Sequence, residues 1–441
     1  MNILVVGNGF DLSHFLPTKY DHFMFAMKSI QNFNNNFVDM NYKDIFGELL
    51  NTEYYFFDKT RQYYDINQVT IDQEKIKYFK LKLNNNIWYK YFLDHFNQIK
   101  TWIDFEQKIE EALILSAKAI NLINDKYKDL GSFYYPIYTL PSRSEYEFYL
   151  TDREFDLLNY LGLIQTDSTQ TSDDFKSGQF TKEFFIKEDY DTYGFDSKKY
   201  LYFLQKNLDE FIHIFNLYLC LIIDKMTPYK EFKIKDFVTI DQIYSFNYTS
   251  TFEKFYDKNA KIHYLHGKAG DNHNLVLGIS EIKHDILKDL RAYSFTKYHQ
   301  KIFKDTHYNF LSEEITKIKY YTKKIEEITL DYRSGIRPVT NVNSYTSEIQ
   351  TYKNIINRAD LNIFIWGHSL DISDDVYINE IFSFNEPSDN NVRVTIFHFN
   401  KSAKFDLLTN LFHILGKEKV EKWMKKGWLT FKENPEITQI D

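Results

Sequence analysis

The sequence predicts an α/β fold: an open parallel sheet that carries a large helical second unit. Three observations lead there. The chain opens on a continuous apolar run, Ile3-Leu4-Val5-Val6, closed by Gly7-Asn8-Gly9, the pattern of a strand buried on both faces and followed by a sharp turn. From about residue 236 short strands alternate with short helices, and that alternation continues to the end of the chain. Between the two regions the apolar positions recur at helical spacing, as expected of helices inserted into a sheet domain.

Taken in order, the first strand ends at the glycines. Thr18 followed three residues later by Asp21 resembles a capping box ahead of Phe23 and Phe25, so the first helix is expected some residues after the turn rather than at it. Helical spacing is clear at Ile109, Leu113, Ala117 and Ile120, and again at Leu201, Leu204, Leu208, Phe211, Phe215 and Leu219. The polar stretch 165–179, QTDSTQTSDDFKSGQ, has no period and reads as an exposed loop. Residues 243–246 and 261–265 read as strands with a short helix at 251–256 between them, and 275–277 as a further strand before Gly278. Residues 281–334 are helical and charged. An apolar strand at 361–366, a helix at 374–382, a strand at 392–399 and a helix at 403–415 closed by Gly416 complete the order. The expected domains are a sheet domain from 1–25, 236–280 and 350–441, and a helical insertion domain from 26–235 and 281–349.

Composition narrows the class. With 14 glycines and 7 prolines in 441 residues, the chain uses less than half the average of about 12%, which excludes collagen-like and Gly/Pro-rich disordered chains. Aromatic residues at 18% supply ample apolar area for a core despite 26% charged residues. A formal net charge of −8 argues against a surface built to coat nucleic acid or anionic membrane. A single cysteine, Cys220, excludes an internal disulfide framework and a four-cysteine zinc site, and on an apolar helix face it reads as a buried small hydrophobe. The N-terminus lacks the basic flank of a signal peptide. The most apolar later run, 211–223, is too short and, with His213 and Asn216, too polar to span a bilayer. A soluble, cytoplasmic protein is expected.

The residues able to do chemistry fall at predicted strand ends, where open α/β sheets bind ligands. Gly7-Asn8-Gly9-Phe10-Asp11 ends the first strand, and glycines there let backbone N–H groups approach a phosphate. Leu12 stands where a dinucleotide fingerprint needs its last glycine, so a tight turn without a ligand explains the motif equally well. Asn247 and His266 each follow a strand, and parallel strands joined by one helix put both at the same sheet edge as the Gly7–Asp11 turn. By strand alternation His263 and Leu265 share one face, Tyr264 and His266 the other, with His266 at the mouth. Gly367-His368-Ser369-Leu370 follows another strand and Asp374-Asp375 opens a helix, an arrangement suited to an anion at a hydroxyl and a helix N-terminus. The plainer reading makes Asp374 a helix cap and Ser369 a turn residue. Asn400 ends the 392–399 strand and equally fits a cap for the helix after it. Trp102 and Glu106 read as a core tryptophan beside a surface acid. Histidines 284, 299 and 307 have no cysteine or carboxylate at ligand spacing, and no H-E-x-x-H, P-loop or G-x-S-x-G occurs, so no metal is expected.

As a set, ILVVGNGFDLSHFLPTKYDHF, WIDFE, SFNYT, HYLHG and IWGHSLDISDDVY, in this order, resemble the bacteriophage abortive-infection AbiH family. Several of them also resemble degenerate sirtuin motifs: GNGFD the GAGIS loop, FNYT the QN-x-D, LHG the catalytic HG and GHSL the GTSL. The resemblance implies a Rossmann-like, sirtuin-like sheet that binds NAD as substrate at its carboxyl edge, with chemistry at the bond between nicotinamide and ribose. It implies that Asn247 positions the water or ribose, and that His266 contacts the ribose hydroxyls and acts as base. Gly7, Asn8 and Gly9 would line the pyrophosphate, Ser369 would donate to phosphate and Asn400 would touch the adenosine ribose. Phe10, Asp11, Gly367 and Asp374 complete the implied cofactor-binding set. One cysteine cannot build the sirtuin zinc unit, so peptide deacylation is not expected. Tyr248-Thr249 replaces the sirtuin x-Asp, and Phe10-Asp11 replaces Ile-Ser.

The expected function is therefore an antiphage abortive-infection effector with NAD glycohydrolase activity. An oxocarbenium-like sugar calls for positioned polar groups and a held water more than for a strong nucleophile. The alternatives are a non-catalytic nucleotide-sensing defence protein and, against the negative charge, a nuclease-type toxin. Constant NAD loss would kill the host cell, so a gated state is expected, released by a phage-derived or protein trigger. A homo-oligomer is compatible with this reading; membrane and nucleic acid are not expected partners.

Overall fold

β1 (Asn2–Val6) lies in the interior of a six-stranded sheet in which every pairing is parallel. The structure, a computed structural model, describes the chain apart from residues 36, 100, 131–136, 140–147, 167–175, 189–190, 308, 335–341, 359–360, 387–388 and 441. The other strands are β2 (Gln242–Ser245), β3 (Ile262–Tyr264), β4 (Leu361–Trp366), β5 (Val392–His398) and β6 (Leu429–Glu433), arranged β3-β2-β1-β4-β5-β6. β1 and β4 are thus direct neighbours, with Val6 opposite Trp366.

Burial on both faces explains why β1 reads as an unbroken apolar run. Ile3 and Val5 enter a core with Phe246, Ile363, Ile365 and Val394, while Leu4 and Val6 enter another with Phe10, Ile243, Trp366 and Phe397. Four helices of this unit position the polar residues considered below: α1 (Asn8–Ser13), α2 (Thr251–Phe255), α3 (Asp375–Ile381) and α4 (Lys401–Leu415).

The chain forms two compact units. The sheet unit comprises Met1–Leu16, Pro228–Lys268 and Asp305–Asp441; the other comprises Pro17–Thr227 and Ala269–Lys304. The second unit is built on helices Tyr20–Asn32, Trp102–Leu130 and Ser197–Tyr218, which meet through aromatic rings, Trp102 against Phe215 at 4.7 Å and Phe23 against Phe215 at 5.0 Å between centroids. Among the described residues no helix is long and apolar enough to cross a membrane.

Several expectations are corrected. The first helix begins at Asn8, directly after the glycine, because Gly7 is extended (φ −121°, ψ −176°) and serves as the residue before the first turn. Thr18 and Asp21 form no capping box; Lys19 precedes helix Tyr20–Asn32 with no side-chain cap. The ends of the 165–179 stretch are strands, Ile164–Thr166 pairing antiparallel with Ser177–Phe180, and 167–175 lie outside the described residues. Residues 275–277 are not a strand: the Gln300 amide donates to the Leu277 carbonyl and accepts from its N–H, and Lys304 donates to the Leu275 carbonyl, so side chains do the work of a partner strand. Glu106 is not a surface acid, since it is largely buried and paired with Lys297 at 2.6 Å. Cys220 is half-buried rather than buried and sits in the π turn Leu219–Ile223.

The turn after β1 and the turn after β4 touch backbone to backbone. The Gly7 N–H donates to the Trp366 carbonyl at 3.1 Å and the Gly9 N–H to the Gly367 carbonyl at 2.8 Å. A β-carbon on Gly367 would stand 2.1 Å from the Phe10 nitrogen, and one on Gly9 would stand 2.7 Å from the Gly367 α-carbon. Gly367 also has φ +71°, close to the +69° of Gly427, where a β-carbon would meet nothing within 4 Å. The two positions separate backbone strain from collision. Gly427→Ala should lose about 1–2 kcal/mol of unfolding free energy, the cost of the left-handed conformation alone, whereas Gly367→Ala should lose about 3 kcal/mol or more, or fail to fold. Equal losses in urea unfolding would show that the contact of the two turns is not tight.

Candidate functional site

Register sets the stage. Val6 lies opposite Ser245 and Trp366, Ser245 opposite Tyr264, and Trp366 opposite Phe397, so the residues that follow these five strands share one edge of the sheet. Most of the polar groups predicted for a site occur there, and they fall into two buried groups.

The first group surrounds a small cleft. Because α1 begins at Asn8, Asp11 falls in its first turn and turns its carboxylate toward the end of β2. Thr249 donates to Asp11 Oδ2 at 2.6 Å and accepts in turn from the Thr251 hydroxyl at 3.1 Å. Asn247 is fixed by Ser245, whose hydroxyl accepts from the Asn247 N–H and donates to its carbonyl. Asp11 and Asn247 line the cleft with Thr249, Thr251 and Tyr264, against apolar walls that include Phe10 and Phe252. Its free volume is about 10 Å³, enough for roughly one water. Asp11 is only 1% exposed, and burial pushes its carboxyl up to about 6, opposed by the Thr249 and Thr251 hydroxyls and the Asn247 amide. Asp11 Oδ1 and Asn247 Nδ2 make no hydrogen bond of good geometry among the described residues, though the amide stands near enough to the carboxylate to favour its charged form.

The second group centres on Asp374. Its two carboxylate oxygens face two histidines, Oδ1 lying 3.4 Å from His266 Nε2 and Oδ2 3.5 Å from His368 Nε2. All three side chains are buried. The Leu370 N–H donates to His368 Nδ1 at 2.9 Å, which puts the hydrogen of a neutral His368 on Nε2, toward Asp374. Phe246 packs edge-on against both imidazoles, at 5.1 Å from His266 and 4.2 Å from His368. The reading of Asp374 as a helix cap is therefore corrected: it makes no cap bond to α3, and Asp371 caps the turn before it. Strand alternation also fails at His266. β3 ends at Tyr264 and the chain turns at Gly267 (φ +86°), so Tyr264 lines the Asp11 cleft while His266 faces Asp374. His368, between Gly367 and Ser369, is a member of this group that the sequence reading does not single out.

The remaining predicted residues are placed otherwise. Phe10 belongs to the apolar core on one sheet face. Gly7, Gly9 and Gly367 make the backbone contact described above, and Asn8 opens α1. Ser369 is exposed, with its carbonyl bonded by Asn410. Asn400 is exposed and caps α4 by accepting from the Ala403 N–H at 2.8 Å. His263, meant as the contrast to His266, stacks on Tyr244 and bonds Gln242.

In the second unit Asp21, His22 and Glu53 form the one group of potential metal ligands, among the described residues, whose ligand atoms lie within 4.8 Å of one another. Lys19 already supplies a cation to Glu53 at 2.5 Å. The His22 hydrogen bond, followed by Lys19, holds the Glu53 carboxyl down at about 2.

Fold and site together define an α/β protein with an all-parallel six-stranded sheet, whose buried polar groups collect at the carboxyl ends of its strands, the position of ligand sites in such sheets. Within that class the chain belongs to the family described as bacteriophage abortive infection AbiH, whose model matches residues 3–398. Abortive infection is a defence against phage, and that is the role the family gives this chain. No curated protein and no solved structure matches it.

The raised Asp11 carboxyl has a stability consequence with a definite sign. The folded state holds this proton up to about pH 6 while the unfolded chain releases it near 3.8, so stability falls as pH rises through that window. Asp11→Asn, isosteric and uncharged, should therefore be more stable than the parent by up to about 3 kcal/mol near neutral pH, with the gain vanishing toward pH 4. Thermal unfolding of both proteins across that range reads it, and a gain independent of pH would contradict the assignment.

Proposed function

We propose that this protein is an antiphage effector that hydrolyses NAD, or a close chemical relative, at the bond between nicotinamide and ribose. The observation that carries the reading is the strand order β3-β2-β1-β4-β5-β6, which is that of Rossmann sheets that bind dinucleotides, with Asn247 and His266 following two adjacent strands of it. The sirtuin-like motifs at those same strand ends add support. In this reading His266, backed by Asp374, takes a proton from a ribose hydroxyl, and Asn247, which cannot act as a base, orients the reacting groups. Nicotinamide leaves with the electrons of its glycosidic bond, water adds to the sugar carbon, and the products are ADP-ribose, nicotinamide and a proton. No metal is needed for these steps.

One observation favours a second reading, a nucleotide sensor without catalysis. The two glycine turns are packed against each other, and the Gly9 N–H is spent on Gly367. A sensor that binds only after those turns part would use the same edge and release nothing. The two readings separate on nicotinamide release from NAD, measured with purified protein and with extract of phage-infected cells as the source of a trigger. Asn247→Ala and His266→Ala should each lower release by about 10²-fold or more with the fold intact, and His263→Ala should retain turnover. A double Asn247/His266 variant that still depletes NAD would remove the hydrolase reading at this site, and a wild-type chain that binds NAD without cleaving it would favour the sensor.

A further inference from the structure

We propose that the cleft beneath Asn247 holds a single water between Asp11 Oδ1 and Asn247 Nδ2, and that Asp11 is the base that activates this water. The chemistry rests on the hydrolase reading above; the hydration site does not.

Asp11 Oδ1 accepts and Asn247 Nδ2 donates, both are buried, and neither makes a hydrogen bond of good geometry among the described residues, the amide acting on the carboxylate without closing on it. Leaving such groups unsatisfied is costly, more so where charge is involved. Both line one cleft of about 10 Å³, which matches a single water and is polar on the side where the two atoms stand. Water is the complement of this pair, since it donates to the carboxylate and accepts from the amide.

The rest of the cleft orients that water. Thr249 holds Asp11 Oδ2 at 2.6 Å and is itself held by Thr251, which fixes the carboxylate plane and commits Oδ1 to the cleft. The walls are largely apolar, so the charge on Asp11 acts through a low dielectric. A carboxyl pushed up to about 6 is still mostly ionised at neutral pH and is a stronger base than a solvated aspartate. A buried carboxylate that lowers stability is also a poor structural choice, because an asparagine would satisfy Thr249 as well. With Asp11 and Asn247 each taking one hydrogen-bonding position, a lone pair of the water remains. That lone pair forms the bond to the anomeric carbon as the carbon–nitrogen bond breaks, nicotinamide leaves with that bonding pair, and the water's proton passes to Asp11 Oδ1. His266 keeps its separate role on the ribose hydroxyl, to which it returns the proton as the product forms, so the one proton released is the water's.

Three measurements test this. A high-resolution crystal structure of the full chain should contain a water within about 3.2 Å of both Asp11 Oδ1 and Asn247 Nδ2; its absence overturns the hydration site. Asp11→Asn should lower the kcat of nicotinamide release by about 10²-fold with KM changed less than about threefold. Asp11→Ala, checked for folding by thermal unfolding, should lose activity that added formate or azide restores by about tenfold or more, whereas Asn247→Ala should gain nothing from either anion. A merely structural Asp11 would give no such rescue. Full activity in Asp11→Asn, or a folded Asp11→Ala that formate and azide leave inactive, overturns the base role. A wild-type chain that never releases nicotinamide overturns the NAD reading and the base role together, while the crystallographic water still decides the site.

Discussion

The contact between the turn after β1 and the turn after β4 governs the geometry of everything at this edge. Two hydrogen bonds, from the Gly7 and Gly9 N–H groups to the carbonyls of Trp366 and Gly367, join strands that are far apart in sequence. Only glycine permits the approach, since a β-carbon on any of the three glycines would overlap backbone. This contact anchors α1 at Asn8, and the early start of α1 brings Asp11 over the end of β2, within reach of Thr249. On the other side it sets the course of 367–370, where Leu370 takes φ +53° and bonds back to His368. Asp11 and His368 therefore owe their positions to the same pair of turns.

The edge carries two buried carboxylates in unlike surroundings. Asp11 meets hydroxyls, an amide and apolar walls, so its ionised form is compensated only in part. Asp374 lies between two imidazoles, which can supply hydrogen or positive charge. The two carboxylates are thus divided by their chemical surroundings. The division is spatial too: Tyr264 lines the Asp11 cleft, while Phe246 packs against both histidines of the Asp374 group.

What could be read from the sequence follows from which forces are local. β1 announces itself as a buried strand that is apolar throughout, β4 and β5 by apolar runs in which buried residues alternate with partly exposed ones, and Asn400 is readable as a cap because capping depends on four consecutive residues. The start of α1 was not readable. Thr18 and Asp21 imitate a cap, while the extended φ of Gly7 leaves no mark on the sequence. Glu106 looked like a surface acid because its partner, Lys297, lies far along the chain. Residues 275–277 looked like a strand because they are apolar and buried, but a glutamine side chain replaced the neighbour they needed. His266 was picked correctly as a strand-end residue at the edge, yet its direction was misread, since alternation stops where the strand stops. His368 carried a signal of its own, a histidine two residues before a turn, that only the Leu370 N–H makes meaningful.

A glycine pair at the end of a strand has two physical uses, to let a ligand's phosphate approach the backbone or to let another backbone do so. The contact with Gly367 is the second use, and it removes the Gly9 N–H from those able to meet an anion. A dinucleotide entering between β1 and β4, where the strand order reverses, would have to part the turns. The hydrogen bonds that resist are worth roughly 0.5–1.5 kcal/mol each, small beside the affinity of a typical nucleotide ligand. The barrier to opening lies instead in packing: Phe10, one residue on, is held among Trp366, His14 and Phe252, so moving the turn means moving part of the core. Parting the turns would therefore move Phe10 together with the side chains packed on it, a collective change of the core rather than the motion of one loop.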